Sequence, residues 1–98
     1  MDIRSGEVRI AASAAFEMDA AFDWYEKRQP GLGTEFLRSC EAAFSAIGRA
    51  PRLHRVIRNG IRRALLRRFP FGVFFAEEKD TVVILAVVHV RRSPENWP

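Results

Sequence analysis

Apolar residues recur at helical spacing in two neighbouring segments of the first half of the chain. In the first segment the apolar stripe consists of Ala14, Met18, Ala21, Phe22 and Tyr25. In the second it consists of Phe36, Cys40, Ala43, Phe44 and Ile47. Because residues three and four apart share one face of an α-helix, both stripes predict helices with a buried face. In this pattern Cys40 is a core residue.

Helix breakers divide the two segments and close the second one. Gln29-Pro30-Gly31 combines a residue that stops a helix with one that tolerates positive φ, so we predict that the first helix ends before Pro30. The second helix is predicted to begin near Leu32 or Gly33. Gly48 and Pro51 are predicted to end it. The two helices therefore form an antiparallel hairpin.

Strand-like patterns precede and follow this hairpin. Residues 8–10 lean towards a β-strand, and residues 61–69, 73–76 and 81–88 read as three more strands. The breaks between them are Phe69-Pro70-Phe71-Gly72 and a polar interval ending at Asp80. Residues 51–60 are basic without a clear period. We interpret them as a loop, with a short strand as the alternative, that ends in Asn59-Gly60, a dipeptide suited to positive φ.

The order of elements is β-α-α-β-β-β, with helices grouped together and strands grouped together. This order predicts an α+β fold with an N-terminal strand, an antiparallel helical hairpin and a three-stranded antiparallel sheet. A sheet of mixed direction remains an alternative. No repeat or linker interrupts the chain, so residues 1–98 are predicted to form a single domain.

Charge is divided unevenly along the chain, although the net charge is only +4. Residues 1–48 carry 5 basic and 8 acidic side chains, whereas residues 49–92 carry 11 basic and 3 acidic ones. Such a cationic half attracts anionic partners, either nucleic acid or an acidic protein surface. The alternative is an ordinary solvated face. Eight arginines within residues 49–68 favour a functional surface.

Arginine falls on both faces of the strand predicted at residues 61–69. Alternation places Arg63, Leu65 and Arg67 on one face, and Arg62, Ala64, Leu66 and Arg68 on the other. A strand covered by helices is expected to carry charge on one side only. The pattern therefore indicates a functional surface, pairing with carboxylates, or an edge strand whose arginines discourage aggregation.

Several kinds of chemistry find no support in the sequence. Cys40 is the only cysteine, and with two histidines it offers no ligand cluster at zinc spacing. There is no glycine-rich phosphate loop, no Ser-His-Asp set and no pair of carboxylates at a useful spacing. We therefore expect no metal and no cofactor. No export signal and no apolar run of about 20 residues is visible, so a cytoplasmic protein without a membrane partner is expected.

The run RRALLRRFPFGVFFAEEKDTVVILAVVHVRRSPENW, residues 62–97, resembles the ParE branch of the RelE/ParE superfamily, the toxins of bacterial toxin-antitoxin modules. The run AFDWYE at residues 21–26, followed by PGLG at residues 30–33 and by Phe36-Leu37, is similar to the helical hairpin of that family. The likeness spans nearly all 98 residues. No single motif is diagnostic, but their order and spacing together are specific.

The resemblance implies one of two activities. RelE-like members cut messenger RNA on the ribosome with cations and a C-terminal tyrosine or histidine, whereas ParE-like members are described as inhibitors of DNA gyrase without a catalytic group. The arginine and the tyrosine of the RelE pattern would fall near Gly72 and Pro94, and both are missing here. We therefore favour the gyrase inhibitor. The alternatives are a ribosome-dependent endonuclease using His89 and Arg91, and a detoxified member that survives as a binding module.

The basic surface that would bind the target is predicted to contain Arg62, Arg63, Arg67, Arg68, His89, Arg91 and Arg92. We interpret His89 as a histidine satisfied by backbone or stacked on Trp97 rather than as a catalytic base. Pro94 and Trp97 are predicted to pack the C-terminal tail onto the sheet. The aromatic side chains of Phe22, Trp24 and Tyr25 are interpreted as core or hairpin packing rather than as a platform for RNA bases.

The resemblance also implies a partner encoded beside the toxin. This ParD-like antitoxin would wrap the toxin with its C-terminal segment, and its N-terminal part would dimerise and bind operator DNA. The toxin would then meet operator DNA only through the antitoxin. We expect a hetero-oligomer in which acidic residues of the antitoxin face the arginines.

Overall fold

A five-stranded sheet lies against two antiparallel helices in the computed structural model, which describes residues 7–91. The helices are α1, Ala12–Arg28, and α2, Leu32–Arg49, and a 3₁₀ turn follows at Pro51–Leu53. The strands are β1 Val8–Ile10, β2 Arg55–Arg58, β3 Ile61–Leu65, β4 Phe71–Glu78 and β5 Thr81–His89. Their order in the sheet is β1-β5-β4-β3-β2. The predicted α+β class and helical hairpin are confirmed.

The sheet has two more strands than the three-stranded sheet that the sequence predicts. β1 joins it by pairing parallel to β5, with Val8 beside Val82, so the sheet is mixed. β2 joins it by pairing antiparallel to β3 through a tight turn at Asn59-Gly60. Both turn residues have positive φ, 48° for Asn59 and 79° for Gly60, as predicted. The short strand left as an alternative to the loop at residues 51–60 is therefore present.

The strand predicted at residues 61–69 ends earlier, at Leu65. Residues 66–70 instead bend away from the ladder, because the N–H of Leu66 donates to the carbonyl of Phe71 and the N–H of Phe71 donates to the carbonyl of Phe69. Pro70, which has no N–H, lies within this bend. Arg67 and Arg68 consequently lie in a loop rather than on the two faces of a strand.

Side chains from both helices and from one face of the sheet form the core. Phe36 and Ile47 of α2 and Val73, Phe75 and Ile84 of the sheet are fully buried there. The predicted packing role of Cys40 is confirmed, because its side chain is 0% exposed. The core side of the sheet is thus the helix side. We call the opposite side, which neither helix covers, the open face, although Phe74, Val83 and Ala86 are buried on it.

The three aromatic residues of α1 take different positions. Tyr25 stacks on Phe36 with ring centroids 5.5 Å apart, and Phe22 packs against Gly33 at the start of α2, so core and hairpin packing is confirmed for these two. For Trp24 the prediction is wrong, because its side chain is 53% exposed. Helical spacing does not distinguish the two sides of α1, since apolar residues lie on both.

Two glutamates of α1 fix the positions of its neighbours. The Glu26 carboxylate accepts hydrogen bonds from the N–H groups of Gly31 and Gly33, each 2.9 Å long, and so satisfies the beginning of α2. Glu17 and Ser13 contact a bulge at Leu85, where the register between β4 and β5 shifts. The Ser13 hydroxyl donates to the Leu85 carbonyl (3.2 Å), and Glu17 accepts from the Val87 N–H (2.8 Å).

Candidate functional site

Arg62 and Arg63 are neighbours on β3, but they lie on opposite faces of the sheet. Arg62 stands opposite Phe75, on the helix side, and its Nη1 donates to the carbonyl of His54 at 2.6 Å. This contact links β3 to the residue that follows the 3₁₀ turn. Arg62 is half-buried, and its guanidinium is used inside the fold. It therefore contributes to structure more than to an exposed surface.

Arg63 lies on the open face, where Arg55 of β2 is directly opposite it. The aliphatic carbons of the Arg63 side chain lie beside Gly72, since a Cβ at Gly72 would be 3.4 Å from Arg63 Cδ. Among residues 7–91, neither Arg55 nor Arg63 forms an ion pair. Like charges directly opposite each other destabilise a sheet, so the Arg55–Arg63 pair lowers the stability of this sheet.

Leu65 adds an apolar side chain beside Arg55 and Arg63. It lies two residues after Arg63 on the same face of β3, opposite Gly72, and it is 58% exposed. Within the described part of the chain, the open face near the β2 edge therefore combines the guanidinium groups of Arg55 and Arg63, which form no ion pair, with the exposed side chain of Leu65. Sequence reasoning missed Arg55, because its role depends on the pairing of β2 with β3.

A second group of cations lies at the end of the sheet where β5 finishes. The Val90 N–H donates to the Pro70 carbonyl at 2.8 Å, which brings the 66–70 loop beside the end of β5. Arg67 on the loop and Arg91 after the strand are both exposed, and neither forms an ion pair with any residue in the 7–91 range. The predicted Arg67 and Arg91 thus lie at the same end of the sheet.

Arg68 lies on the same loop but has internal partners. Its Nη2 lies 2.9 Å from Glu35 Oε1 of α2, and its guanidinium carbon is 5.6 Å from the centre of the Phe69 ring. The side chain is mostly exposed, so this ion pair contributes little to stability. It nevertheless orients the Arg68 side chain towards the helical hairpin.

His89 is satisfied by backbone, as the sequence predicts. Its Nδ1 accepts a hydrogen bond from the Arg91 N–H at 3.0 Å, and its ring meets Phe71 edge-on with centroids 5.2 Å apart. Because Nδ1 is the acceptor, the proton of the neutral ring is assigned to Nε2. The lone pair of His89 Nδ1 is therefore used within this turn. Arg92, Pro94 and Trp97 lie outside the described residues.

Two further ion pairs between described residues lie at the end of the sheet opposite His89. Arg9 pairs with Glu78 at 3.4 Å, and Arg52 pairs with Glu77 at 3.1 Å. A groove of about 730 Å³ opens nearby, between the end of α2 and the β4–β5 turn. Its charged lining includes both Arg49 and Asp80, and none of the predicted site residues that the structure describes takes part in it. The groove is therefore separate from both cationic groups.

Other features bear on the chemistry that the chain can perform. Burial raises the pKa of the Cys40 thiol to about 12, with a smaller effect of the Glu41 charge in the same direction, so this cysteine is not a nucleophile at neutral pH. Residues 7–91 contain no group of three or more His, Cys, Asp or Glu side chains that could hold a metal ion. Within the same range, neither helix is long and apolar enough to cross a bilayer.

Two solved structures have a similar fold. A chain described as the chromosomal ParDE toxin-antitoxin system of P. aeruginosa aligns with a TM-score of 0.76 and 18% identity, over 85% of this chain and 94% of that chain. A chain of the RelBE2 toxin-antitoxin complex of Mycobacterium tuberculosis aligns with a TM-score of 0.57 and 24% identity, over 85% and 88%. No protein-family model and no curated protein sequence matches the chain. The chain has the fold of the RelE/ParE superfamily, in agreement with the resemblance of its sequence motifs.

Proposed function

We propose that this chain is the toxin of a type II toxin-antitoxin module, that it inhibits DNA gyrase in the manner of ParE, and that a ParD-like antitoxin neutralises it. The observation that carries the proposal is a set of guanidinium groups that no carboxylate in residues 7–91 pairs with, on a RelE/ParE-like fold. Both solved neighbours come from toxin-antitoxin systems. We further propose that this toxin acts in the cytoplasm and that it needs no cofactor.

The positions of Gly72 and His89 favour an inhibitor over a nuclease. Acid-base cleavage of RNA requires a group that takes a proton from the ribose 2′-hydroxyl. The lone pair of His89 Nδ1 is already used by the Arg91 N–H. At Gly72, where the RelE pattern has an arginine, the stem of Arg63 occupies the space above the backbone. Neither His89 Nδ1 nor Gly72 therefore offers a free group for this step.

We further propose that the target binds to the predicted basic surface with Arg55 added. Within that surface Arg55, Arg63, Arg67 and Arg91 present unpaired charge to a partner. Arg62 donates to the His54 carbonyl and Arg68 pairs with Glu35, so these two side chains offer less free charge to a partner. Guanidinium groups suit an anionic macromolecule, because they form paired hydrogen bonds to carboxylates and phosphates.

Induced expression in a bacterial host tests this function. The proposal predicts growth arrest, loss of negative supercoiling in a reporter plasmid, and transcript ends that do not change. Cleavage of transcripts at codon positions with normal supercoiling would support the ribosome-dependent endonuclease instead. Growth without any defect would support a detoxified binding module.

Paired charge reversals connect the function to the surface. Arg55→Glu combined with Arg63→Glu should relieve the growth arrest. The matched control is Lys27→Glu combined with Arg38→Glu, which changes the net charge equally at two exposed positions of the helical hairpin. The control should remain toxic. Equal toxicity of both double variants, at equal soluble levels, would contradict the assignment of the surface.

The proposed antitoxin is recognised mainly through charge. An acidic, flexible segment should associate rapidly with the cationic half of the toxin, and added salt should slow this association. The two chains would form a hetero-oligomer, and operator DNA would be contacted only by the antitoxin. An on-rate that does not change with salt would rule out electrostatic steering.

A further inference from the structure

Apolar side chains are buried at the centre of the open face, on the side of the sheet that neither helix covers. Phe74 is 2% exposed and Ala86 is 3% exposed, and the two stand opposite each other on β4 and β5. Side chains of a strand project roughly perpendicular to the sheet, so neighbours on the same face stand beside a phenylalanine and not above it. The burial of Phe74 therefore indicates that another part of the molecule lies over it.

The cover comes from the chain itself, because these side chains are buried within a single copy. Both helices pack on the core side of the sheet. The 66–70 loop belongs to that side as well, through Leu66 and Phe69, and the 3₁₀ turn packs against α2. Two segments outside the described range remain that can supply the cover, residues 1–6 and residues 92–98.

The composition of residues 92–98 suits this position better than that of residues 1–6. Residues 92–98 read RSPENWP and include Trp97, whereas residues 1–6 read MDIRSG and include no aromatic residue. An indole ring has enough apolar surface to cover a phenylalanine, and aromatic pairs gain stability beyond the area that they bury. The pair Ser93-Pro94 favours a reversal of the chain before Trp97.

The end of β5 places this segment within reach of the buried centre. β5 ends at His89, and the chain turns at residues 90 and 91, where the Arg91 N–H donates to His89 Nδ1 at 3.0 Å. Counted from Arg91, an extended chain brings Trp97 up to about 20 Å away. Ala86 lies about 16 Å back along β5 from the same residue, given a rise of about 3.3 Å per residue. A segment that folds back therefore reaches Ala86.

We propose that residues 92–98 fold back across the open face and that Trp97 packs on Phe74 and Ala86. The sequence predicts that Trp97 packs the C-terminal tail onto the sheet, and the buried centre of the open face identifies the docking site. Gly72, beside Phe74 on the same face, has no side chain that would obstruct the segment. The open face is therefore a second, smaller core that the tail closes.

The docked segment leaves the β2 border of the open face to a partner. Arg63 lies opposite both Phe74 and Arg55, so it stands between the apolar centre and the sheet edge. Leu65 at this border is 58% exposed. On the proposed function, on which this consequence rests, the target meets Arg63 from the β2 edge and not from β5.

The two tryptophans allow docking to be measured in the full chain. Trp24→Phe leaves Trp97 as the single tryptophan emitter, and Trp97→Phe leaves Trp24. Emission from Trp97 should lie at shorter wavelength and be several-fold less quenched by acrylamide than emission from Trp24, whose side chain is 53% exposed. Equal quenching of the two would overturn the proposal. Because gyrase takes no part in this measurement, docking and the proposed function can fail separately.

Nuclear Overhauser contacts identify what Trp97 packs on. The indole should show contacts to the Phe74 ring and to the Ala86 methyl group. Trp97→Ala should uncover this site, and binding of the apolar dye ANS should rise several-fold in a chain that circular dichroism shows to be folded. Trp24→Ala is the matched control and should leave dye binding unchanged. If Ile3→Ser raises dye binding and Trp97→Ala does not, residues 1–6 are the cover and the proposal is wrong.

Discussion

Glu17 of α1 accepts a hydrogen bond from the backbone N–H of Val87 in β5, with Oε1 2.8 Å from the nitrogen. The pairing of β1 with β5 ends at Ile84 and does not reach Val87, and a glutamate from the covering helix supplies the acceptor. Ser13, one turn earlier, accompanies it by donating to the Leu85 carbonyl. Polar contacts therefore set the position of α1 on the sheet, in addition to apolar packing.

Glu17→Ala should destabilise the fold by about 1–3 kcal/mol, because it leaves the N–H of the buried Val87 without an acceptor. Glu17→Gln keeps a carbonyl oxygen and should cost less. Urea unfolding measures both changes. Asp19→Ala on the exposed side of the same helix is the control, and it should change stability little. A Glu17→Ala variant as stable as the control would show that water satisfies the N–H.

Gly33→Ala should also destabilise the fold, by about 1–3 kcal/mol, although alanine is the better helix former. A Cβ at Gly33 would lie 2.7 Å from Phe22 Cδ1 and 2.8 Å from the Phe22 carbonyl oxygen. The backbone oxygen cannot move away without moving α1. Thermal unfolding measures the effect, with Thr34→Ala at an exposed position as the control. A stabilised Gly33→Ala variant would mean that the helices are farther apart.

Stability should fall at high pH because of Cys40. Burial raises the pKa of the folded thiol from 9.0 to about 12, so the folded state keeps the proton after the unfolded state has lost it. The contribution is fully present below the unfolded value and is lost as pH rises from about 9 to about 12. At about pH 10 the loss is roughly 1 kcal/mol. Urea unfolding at about pH 8 and about pH 10 should show it.

Cys40→Ala provides the control for this pH effect. The variant should be less stable at every pH, because it leaves a cavity, but its stability should fall less between the two pH values. Iodoacetamide offers a second readout, since it should label Cys40 only after unfolding. An identical pH dependence in both proteins, or rapid labelling of the folded chain, would contradict a buried neutral thiol.

Local signals made the helical part of the fold predictable. Apolar stripes and the breakers at Pro30 and Pro51 define two helices whose ends are fixed by neighbouring residues in sequence. β1 was predicted at residues 8–10, but its place in the sheet was not, and β2 was only an alternative to a loop, because the pairing of both strands depends on distant or weakly patterned segments. The parallel register of Val8 with Val82 joins residues far apart in the chain, and no local pattern encodes it.

The cationic surface was predictable in composition but not in arrangement. The arginine-rich segments identify a cationic half, yet the partners that divide it lie far away in sequence. The Glu35 carboxylate of α2 accepts a hydrogen bond from Arg68, and the His54 carbonyl accepts one from Arg62. Arg55 becomes part of the surface only because β2 places it opposite Arg63. Sequence alone does not reveal which arginines remain unpaired.

The central claim is that unpaired guanidinium groups on the open face allow this chain to inhibit DNA gyrase. The most direct measurement is supercoiling of relaxed plasmid by purified gyrase in the presence of the purified full chain. Inhibition by the natural chain and by the Lys27→Glu/Arg38→Glu control, with recovery of supercoiling in Arg55→Glu/Arg63→Glu, is the predicted result. Normal supercoiling at every concentration of the natural chain would contradict the claim.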